Sequence, residues 1–284
     1  MPAFQWYPGH MAKAKRELIE VLPLADIVLE LRDARIPLSS KNPMVDEICK
    51  NKPRLILLNK ADLADKEETK KWLKSLENEN VYALDIDSIS GYNMKLINQK
   101  INLILKDKLD KMKAKGLVNK VIRAIVIGIP NVGKSTFINY VVKKKVAKTG
   151  DKPGVTKNLV WLNAGDNLQI LDSPGILWPK FENEEVGIKL SICQGIKDEI
   201  VDMSKVVIYA IDYLKQEYKD KLMNRFELSL EDLDKNGYDI LDLIARNKGF
   251  ILKGNNVDYD RCINFILNDI RKNKIGAITF EKSE

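Results

Sequence analysis

Residues 123–145 read RAIVIGIPNVGKSTFINYVVKKK. After Arg123 the opening run, to residue 127, is apolar and largely β-branched, as a buried strand requires. From Lys134 the apolar residues recur at three-to-four spacing, as on one face of a helix. Between them, GIPNVGKST (128–136) satisfies G-x-x-x-x-G-K-[ST] through Gly128, Gly133, Lys134 and Ser135. Small residues let successive backbone N–H groups curl around phosphate oxygens, and the helix N-terminus adds positive potential. Lys134 can reach the β- and γ-phosphates, and the Ser135 hydroxyl can ligate Mg²⁺. The competing reading is a chance glycine-lysine turn, and the strand before and helix after argue against it.

Short β-branched runs ending in loop residues recur on both sides: 26–33, 54–62, 81–87, 158–164 and 168–175. Helical patterns lie between many of them, at 44–51, 66–78 and 94–115, the last read as one long helix. Alternating strands and helices predict an α/β fold, a mostly parallel sheet with helices on both faces. Residues 158–164 and 168–175, with Gly165-Asp166 between, read as an edge hairpin. Beyond Trp178-Pro179 the pattern is helical only, at 206–218, 238–249 and 258–274. Two domains are therefore expected: 1–180, built on the sheet, and 181–284, small and all-helical.

Asp172 ends a predicted strand and begins DSPG, where a carboxylate can hold the Mg²⁺ shell. The backbone N–H of Gly175 can approach a γ-phosphate, and Thr156, in the loop 148–157, can complete the magnesium site. An ordinary Gly/Pro turn is the alternative for that loop. NKAD (59–62) follows the strand RLILL. Asp62 can accept from guanine N1–H and the 2-amino group together, Asn59 can bond the base edge, and the Lys60 stem can lie over the ring. Adenine lacks those donors and leaves Asp62 desolvated and unpaired, a discrimination of about 10⁴–10⁵. DSIS (87–90), after the next strand, offers backbone N–H groups for guanine O6, or is a plain turn. The expected contacts are thus Asn59, Lys60, Ala61, Asp62, Asp87, Ser88, Ile89, Asn131, Val132, Gly133, Lys134, Ser135, Thr136 and Gly175 for GTP or GDP. Ser135, Thr156 and Asp172 are those for Mg²⁺.

These five elements are the G motifs of Ras-like GTPases, but NKAD and DSIS here precede the phosphate loop. That order resembles the circularly permuted GTPases linked to ribosome assembly. WYPGHMAKA, DARIP, NPM, LLNKAD, GIPNVGKST, PGVT and DSPGILWPKF together look like the ribosome biogenesis GTPase A family, over essentially the whole chain. The resemblance implies a circularly permuted Ras-like P-loop domain followed by a helical one. It implies a GTPase acting in late maturation of the large (50S) ribosomal subunit, binding in the GTP state and released on ribosome-stimulated hydrolysis. Its partners would be rRNA and ribosomal proteins, with no DNA and no membrane, and the chain a monomer off the ribosome. In this order DSPG leads straight into the second domain, so a change at the γ-phosphate pulls on its tether, an expected order or hinge switch.

Fast Ras-like enzymes often place a glutamine after the DxxG glycine to orient water. Here Ile176 stands there, which implies slow intrinsic turnover or a group from elsewhere. Asn131 offers a carbonyl near the phosphates, which in similar potassium-dependent GTPases holds K⁺; the alternative is a turn asparagine in a left-handed conformation. His10, in QWYPGHMAK (5–13), is the only histidine. A neutral imidazole can orient or deprotonate water, and the resemblance implies that catalytic role; RNA contact and packing or capping stay open.

A net charge of +7 and pI near 9.0 permit a polyanion partner without establishing one. Lys13, Lys15 and Arg16, the lysines at 106–115, and Arg261, Arg271, Lys272 and Lys274 are the basic groups that can meet RNA, or simply be solvated faces. Cys49, Cys193 and Cys262 are odd in number and far apart, which opposes a disulfide framework or zinc module. No run of 18 apolar residues occurs and no signal core opens the chain, so a soluble cytoplasmic protein is the default. Two other function classes compete: an RNA-binding assembly factor in which hydrolysis is incidental, and a P-loop kinase or ATPase, which Asp62 opposes.

Overall fold

The computed structural model describes residues 16–49, 52–117, 121–143, 161–165, 167–172 and 183–283. The chain divides into two compact units: Met1–Phe181 with Glu281–Glu284, and Glu182–Phe280.

The first unit is built on six strands: β1 (Ile27–Asp33), β2 (Arg54–Asn59), β3 (Val81–Asp85), β4 (Ile122–Gly128), β5 (Trp161–Asn163) and β6 (Leu168–Asp172). Their order across the sheet is β3-β2-β1-β4-β6-β5. All neighbouring pairs are parallel except the β5–β6 hairpin, as the apolar runs and the edge turn led one to expect. From β1 the chain steps outward to β2 and β3, then crosses back to β4 on the far side of β1. That reversal between β1 and β4 opens a crevice at the carboxyl ends of the strands, the usual ligand position in such sheets.

The helices of this unit are α1 (described over 16–21), α2 (Met44–Ile48), α3 (Lys66–Leu76), α4 (Leu96–Ile104), α5 (Lys106–Ala114) and α6 (Lys134–Val142). The single helix expected over 94–115 is two, broken at Leu105 (φ −95°, ψ 10°). Ile97, Ile101 and Leu105 keep helical spacing and are buried, whereas α5 buries nothing. The packing that would hold one straight helix therefore ends at Leu105.

Register places Val28, Ile125 and Leu171 side by side on one sheet face, packed with Leu18, Leu22, Val45 and Cys49. On the same face, Ile56 and Ala83 pack with Trp72 of α3. Between the two clusters Glu30 lies in register with Ile56 and Ile127. Its carboxylate accepts from Arg32 Nε at 2.7 Å and meets Arg54 at 3.1 Å, with Glu30 and Arg32 only 1% and 2% exposed. Charges this deep persist only because they are paired.

The second unit holds α7 (Glu184–Ile192), α8 (Met203–Glu217), α9 (Lys219–Phe226), α10 (Gly237–Asn247) and α11 (Tyr259–Arg271). Asn183, Asp202, Asn236 and Asp258 cap four of them by accepting backbone N–H bonds. Its core is a set of helix-spaced residues such as Val206, Ala210, Leu214, Ile240, Ile244 and Ile266. Arg271, a candidate RNA contact in the sequence, is engaged inside this unit. It forks onto Asp198 at 3.0 and 2.7 Å and donates to the Ile192 and Ser191 carbonyls. The sequence also ran the second domain to residue 284, whereas Glu281–Glu284 return to the first unit. The reason is a buried carboxylate: Glu281 accepts from the Leu38 and Ser39 N–H groups.

Removing one partner of the buried pair leaves the other uncompensated, a loss of about 3–5 kcal/mol. Glu30→Ala is expected to lower the urea midpoint accordingly. The double replacement Glu30→Met/Arg32→Met, which removes both charges at similar volume, should recover most of the loss. Equal midpoints for Glu30→Ala and the parent would refute the assignment.

Candidate nucleotide site

The site gathers at the carboxyl ends of β1, β2, β4 and β6. Gly128 ends β4 in register with Leu31, and a Cβ there would lie 2.7 Å from the Leu31 carbonyl oxygen. The loop that follows turns through left-handed conformations at Asn131 (φ 57°) and Gly133 (φ 100°) before α6 begins at Lys134. Gly133 is the N-cap of α6 and supplies no side-chain acceptor. The first N–H groups of the helix are thus left for an anion. By contrast α3 is capped by Asp65, whose carboxylate accepts from Glu67 and Glu68.

The base motif and the phosphate loop, far apart in sequence, meet at Asn59. This buried side chain donates from Nδ2 to the Val132 carbonyl at 2.9 Å. Its Oδ1 accepts from the Ser88 backbone N–H at 3.1 Å and the Ser88 hydroxyl at 2.9 Å. A Cβ at residue 133 would strike the Asn59 amide nitrogen, so the glycine is required by space as well as by φ. Lys60, itself left-handed (φ 62°), donates to the Asn131 carbonyl at 2.9 Å and pairs with Asp33 at 2.9 Å. Asp33 is also held by Arg35 through both carboxylate oxygens, at 2.9 and 2.7 Å. Burial alone would raise the Asp33 pKa, but Arg35 and Lys60 hold it well below the usual carboxylate range. No role was assigned to Asp33 or Arg35 from sequence, although both lie in the DARIP stretch that carries part of the family resemblance.

Asp62 stands exposed at the mouth, within the short turn Ala61–Leu63. Partial burial raises its pKa and the nearby Asp87 charge raises it further, a state that a pair of donors relieves. Asp87 closes its own loop, accepting from the Ile89 N–H at 2.8 Å and the Ser90 N–H at 3.0 Å. Burial opposes ionisation there, but the Ser90 hydroxyl first and then those two N–H groups bring the pKa down. The N–H groups of Ser88, Ile89 and Ser90 expected to address guanine O6 are therefore bonded within the protein. The 87–90 segment acts here by fixing Asn59, with Ile89 left 84% exposed.

Lys134 donates to the Ile129 carbonyl at 3.2 Å. Although its side chain is partly accessible, burial of the ammonium pushes its pKa down to about 8, against the pull of Asp172. Burial likewise raises Asp172, with Lys134 opposing. Ser135 and Asp172 offer a hydroxyl and a carboxylate, hard oxygen donors that fit Mg²⁺. His10, Thr156, Gly175 and Ile176 lie outside the described residues, as do Lys13 and Lys15.

Lys134 ionises less readily in the folded chain than its ordinary 10.5, so its charge costs most below about pH 8. A bound triphosphate restores that charge. Nucleotide binding is therefore expected to take up protons between about pH 8 and 10.5, with affinity falling as pH rises through that window. Calorimetry in buffers of different ionisation heat measures this; zero uptake at pH 9 would overturn it.

A protein-family profile described as 50S ribosome-binding GTPase matches residues 123–248. The match starts at β4 and takes in the phosphate loop and Asp172, but not Asn59–Asp62, which precede it in this chain. The chain is 48% identical over 280 residues to the Ribosome biogenesis GTPase A of Bacillus pumilus, covering 99% of each. It is 29% identical over 279 residues to that of Thermotoga maritima, covering 98% of this chain and 94% of that one. The crystal structure of GNP-bound YlqF from T. maritima superposes with a TM-score of 0.64 at 25% identity, covering 96% of this chain and 99% of that one. With its phosphate loop, its out-of-order base motif and similarity running end to end, this chain belongs to the ribosome biogenesis GTPase A family.

Proposed function

We propose that this GTPase binds GTP at the β1–β4 crevice and acts as a timer in assembly of the large ribosomal subunit. The GTP form docks on the maturing particle, and hydrolysis, slow in the free protein and stimulated by the subunit, releases it. The single observation that carries the nucleotide reading is Asn59, which ties base motif to phosphate loop at 2.9 Å. What the site's own residues do follows from their placement. Asp62 receives the guanine donors, and Lys60, pinned by Asp33, presents its stem to the ring. The uncapped start of α6 receives phosphate oxygens, and Lys134 regains its proton on them. Mg²⁺, held by Ser135 and Asp172 with Thr156, supplies charge neutralisation when bound.

Two finer readings belong to the same proposal. His10 replaces the water-orienting group that Ile176 lacks. Asn131 holds K⁺ near the phosphates; its left-handed backbone leaves the side chain at the exposed lip of the loop. The partner is a ribosomal particle because the relatives are named for ribosome biogenesis and the family profile for 50S binding. Exposed Lys106, Lys108, Lys111, Lys113 and Lys115 on and after α5 suit an rRNA backbone. Among the described residues no helix is long and apolar enough to cross a membrane, and a cytoplasmic monomer is part of the proposal.

Single-turnover GTP hydrolysis with and without 50S subunits tests the timer. Stimulation by the subunit is expected; an unchanged rate would favour an RNA-binding factor in which hydrolysis is incidental. Run with His10→Ala, the same assay should lose stimulation while GTP affinity and subunit binding persist. Loss of binding instead would make residues 5–13 a docking element. Replacing KCl by NaCl at equal ionic strength should slow hydrolysis, and no difference would remove the potassium reading.

A further inference from the structure

The loop leaving β1 is unusual for a connection, since loops normally run over the surface. Between Ala34 and Asn42 most residues are buried: Arg35 is 3% exposed, Ser39 4% and Ser40 1%. What holds it in is the chain's far end. Glu281, 5% exposed, accepts the Leu38 N–H on Oε2 at 2.6 Å and the Ser39 N–H on Oε1 at 2.9 Å. The Ser39 hydroxyl donates to the same Oε1. Trp72 of α3 donates its indole N–H to the Glu281 carbonyl at 3.2 Å, so the returning segment is gripped by side chain and backbone alike.

From this clasp a short run of bonds leads into the nucleotide site. Ser40 donates to the Ile36 carbonyl at 2.6 Å and accepts the Asp33 N–H at 3.0 Å. Asp33 pairs with Lys60 at 2.9 Å, and Lys60 donates to the Asn131 carbonyl of the phosphate loop. None of this run is local in sequence to Glu281.

We propose that Glu281 is a positioning residue for guanine-nucleotide binding: by clasping the N–H groups of Leu38 and Ser39 it sets the Asp33–Lys60 pair, so that tail seating and nucleotide occupancy stabilise each other. The coupling is reciprocal, as any binding linkage must be. It makes the place where the chain rejoins the first unit part of nucleotide retention. The proposal rests on the guanine-nucleotide reading above.

The full-length protein supplies the test. Wild-type affinity for a fluorescent GDP analogue is measured first and reports on the nucleotide reading alone. Glu281→Gln keeps the shape of the side chain but turns one acceptor into a donor facing a backbone N–H. It should speed release of that analogue about five- to tenfold. Ser39→Ala, a milder change that keeps both backbone bonds, should shift release in the same direction by less. Ile244→Ala, in the core of the helical unit, serves as a control for general destabilisation. In the reciprocal arm, saturating GDP should slow hydrogen exchange at the Leu38 and Ser39 amides in the wild type. The proposal falls if Glu281→Gln releases nucleotide no faster than Ile244→Ala, whatever its melting temperature. It falls equally if GDP leaves exchange at those two amides unchanged.

Discussion

The site depends on one buried carboxamide. Asn59 sits at the end of β2, and β1 lies between that strand and β4, which leads into the phosphate loop. Backbone pairing cannot bind the two loops together across an intervening strand, so a side chain must do it. The Nδ2 bond to the Val132 carbonyl and the two bonds accepted from Ser88 join three loops at one point. Each partner is buried or nearly so, and an unmade bond there costs about 1–3 kcal/mol. The same contact dictates glycine at residue 133, because no side chain fits against the Asn59 amide. Base recognition and phosphate binding thus share a single rigid reference.

The two lysines of the site are treated differently, and the difference has a physical reading. Lys60 shares the Asp33 carboxylate with Arg35 and donates to the Asn131 carbonyl. Its ammonium is thus held in place by groups of the protein itself. Lys134 faces Asp172, yet that carboxylate does not offset the desolvation of the ammonium. A cation left short of counter-charge at the bare start of a helix is a site for an anion, and a phosphate chain is the anion that its loop geometry fits.

How far the sequence could be read follows from where each determinant lies. The phosphate loop and NKAD were legible because their chemistry is local: consecutive residues define the turn and the acid. The mostly parallel sheet followed from β-branched runs alternating with helical ones, whereas the order of its strands did not. What stayed hidden was set by distant partners. Leu105 breaks a helix whose periodicity continues, because burial stops there. Arg271 looked like a free cation until Asp198 and two carbonyls surrounded it. The 87–90 loop looked like a set of donors, but Asp87 and Asn59 already occupy them. Glu281 carried no signal at all, since its partners are amides some 240 residues away.

That last case bears on the permuted order. A parallel sheet places every strand's carboxyl end on one edge, so a site built there does not depend on which strand comes first. Cutting the chain elsewhere and rejoining it through α4 and α5 leaves Asn59, Lys134 and Asp172 on the same edge. What permutation changes is the route of the remaining chain. It leaves the sheet after Asp172, forms the helical unit, and rejoins the first unit at Glu281 beside the loop that leaves β1. Both exits from the sheet belong to its functional edge. Glu281 holds the loop whose Ser40 accepts the Asp33 N–H, and so a segment some 240 residues from β1 shares the edge on which Asp33 and Lys60 meet.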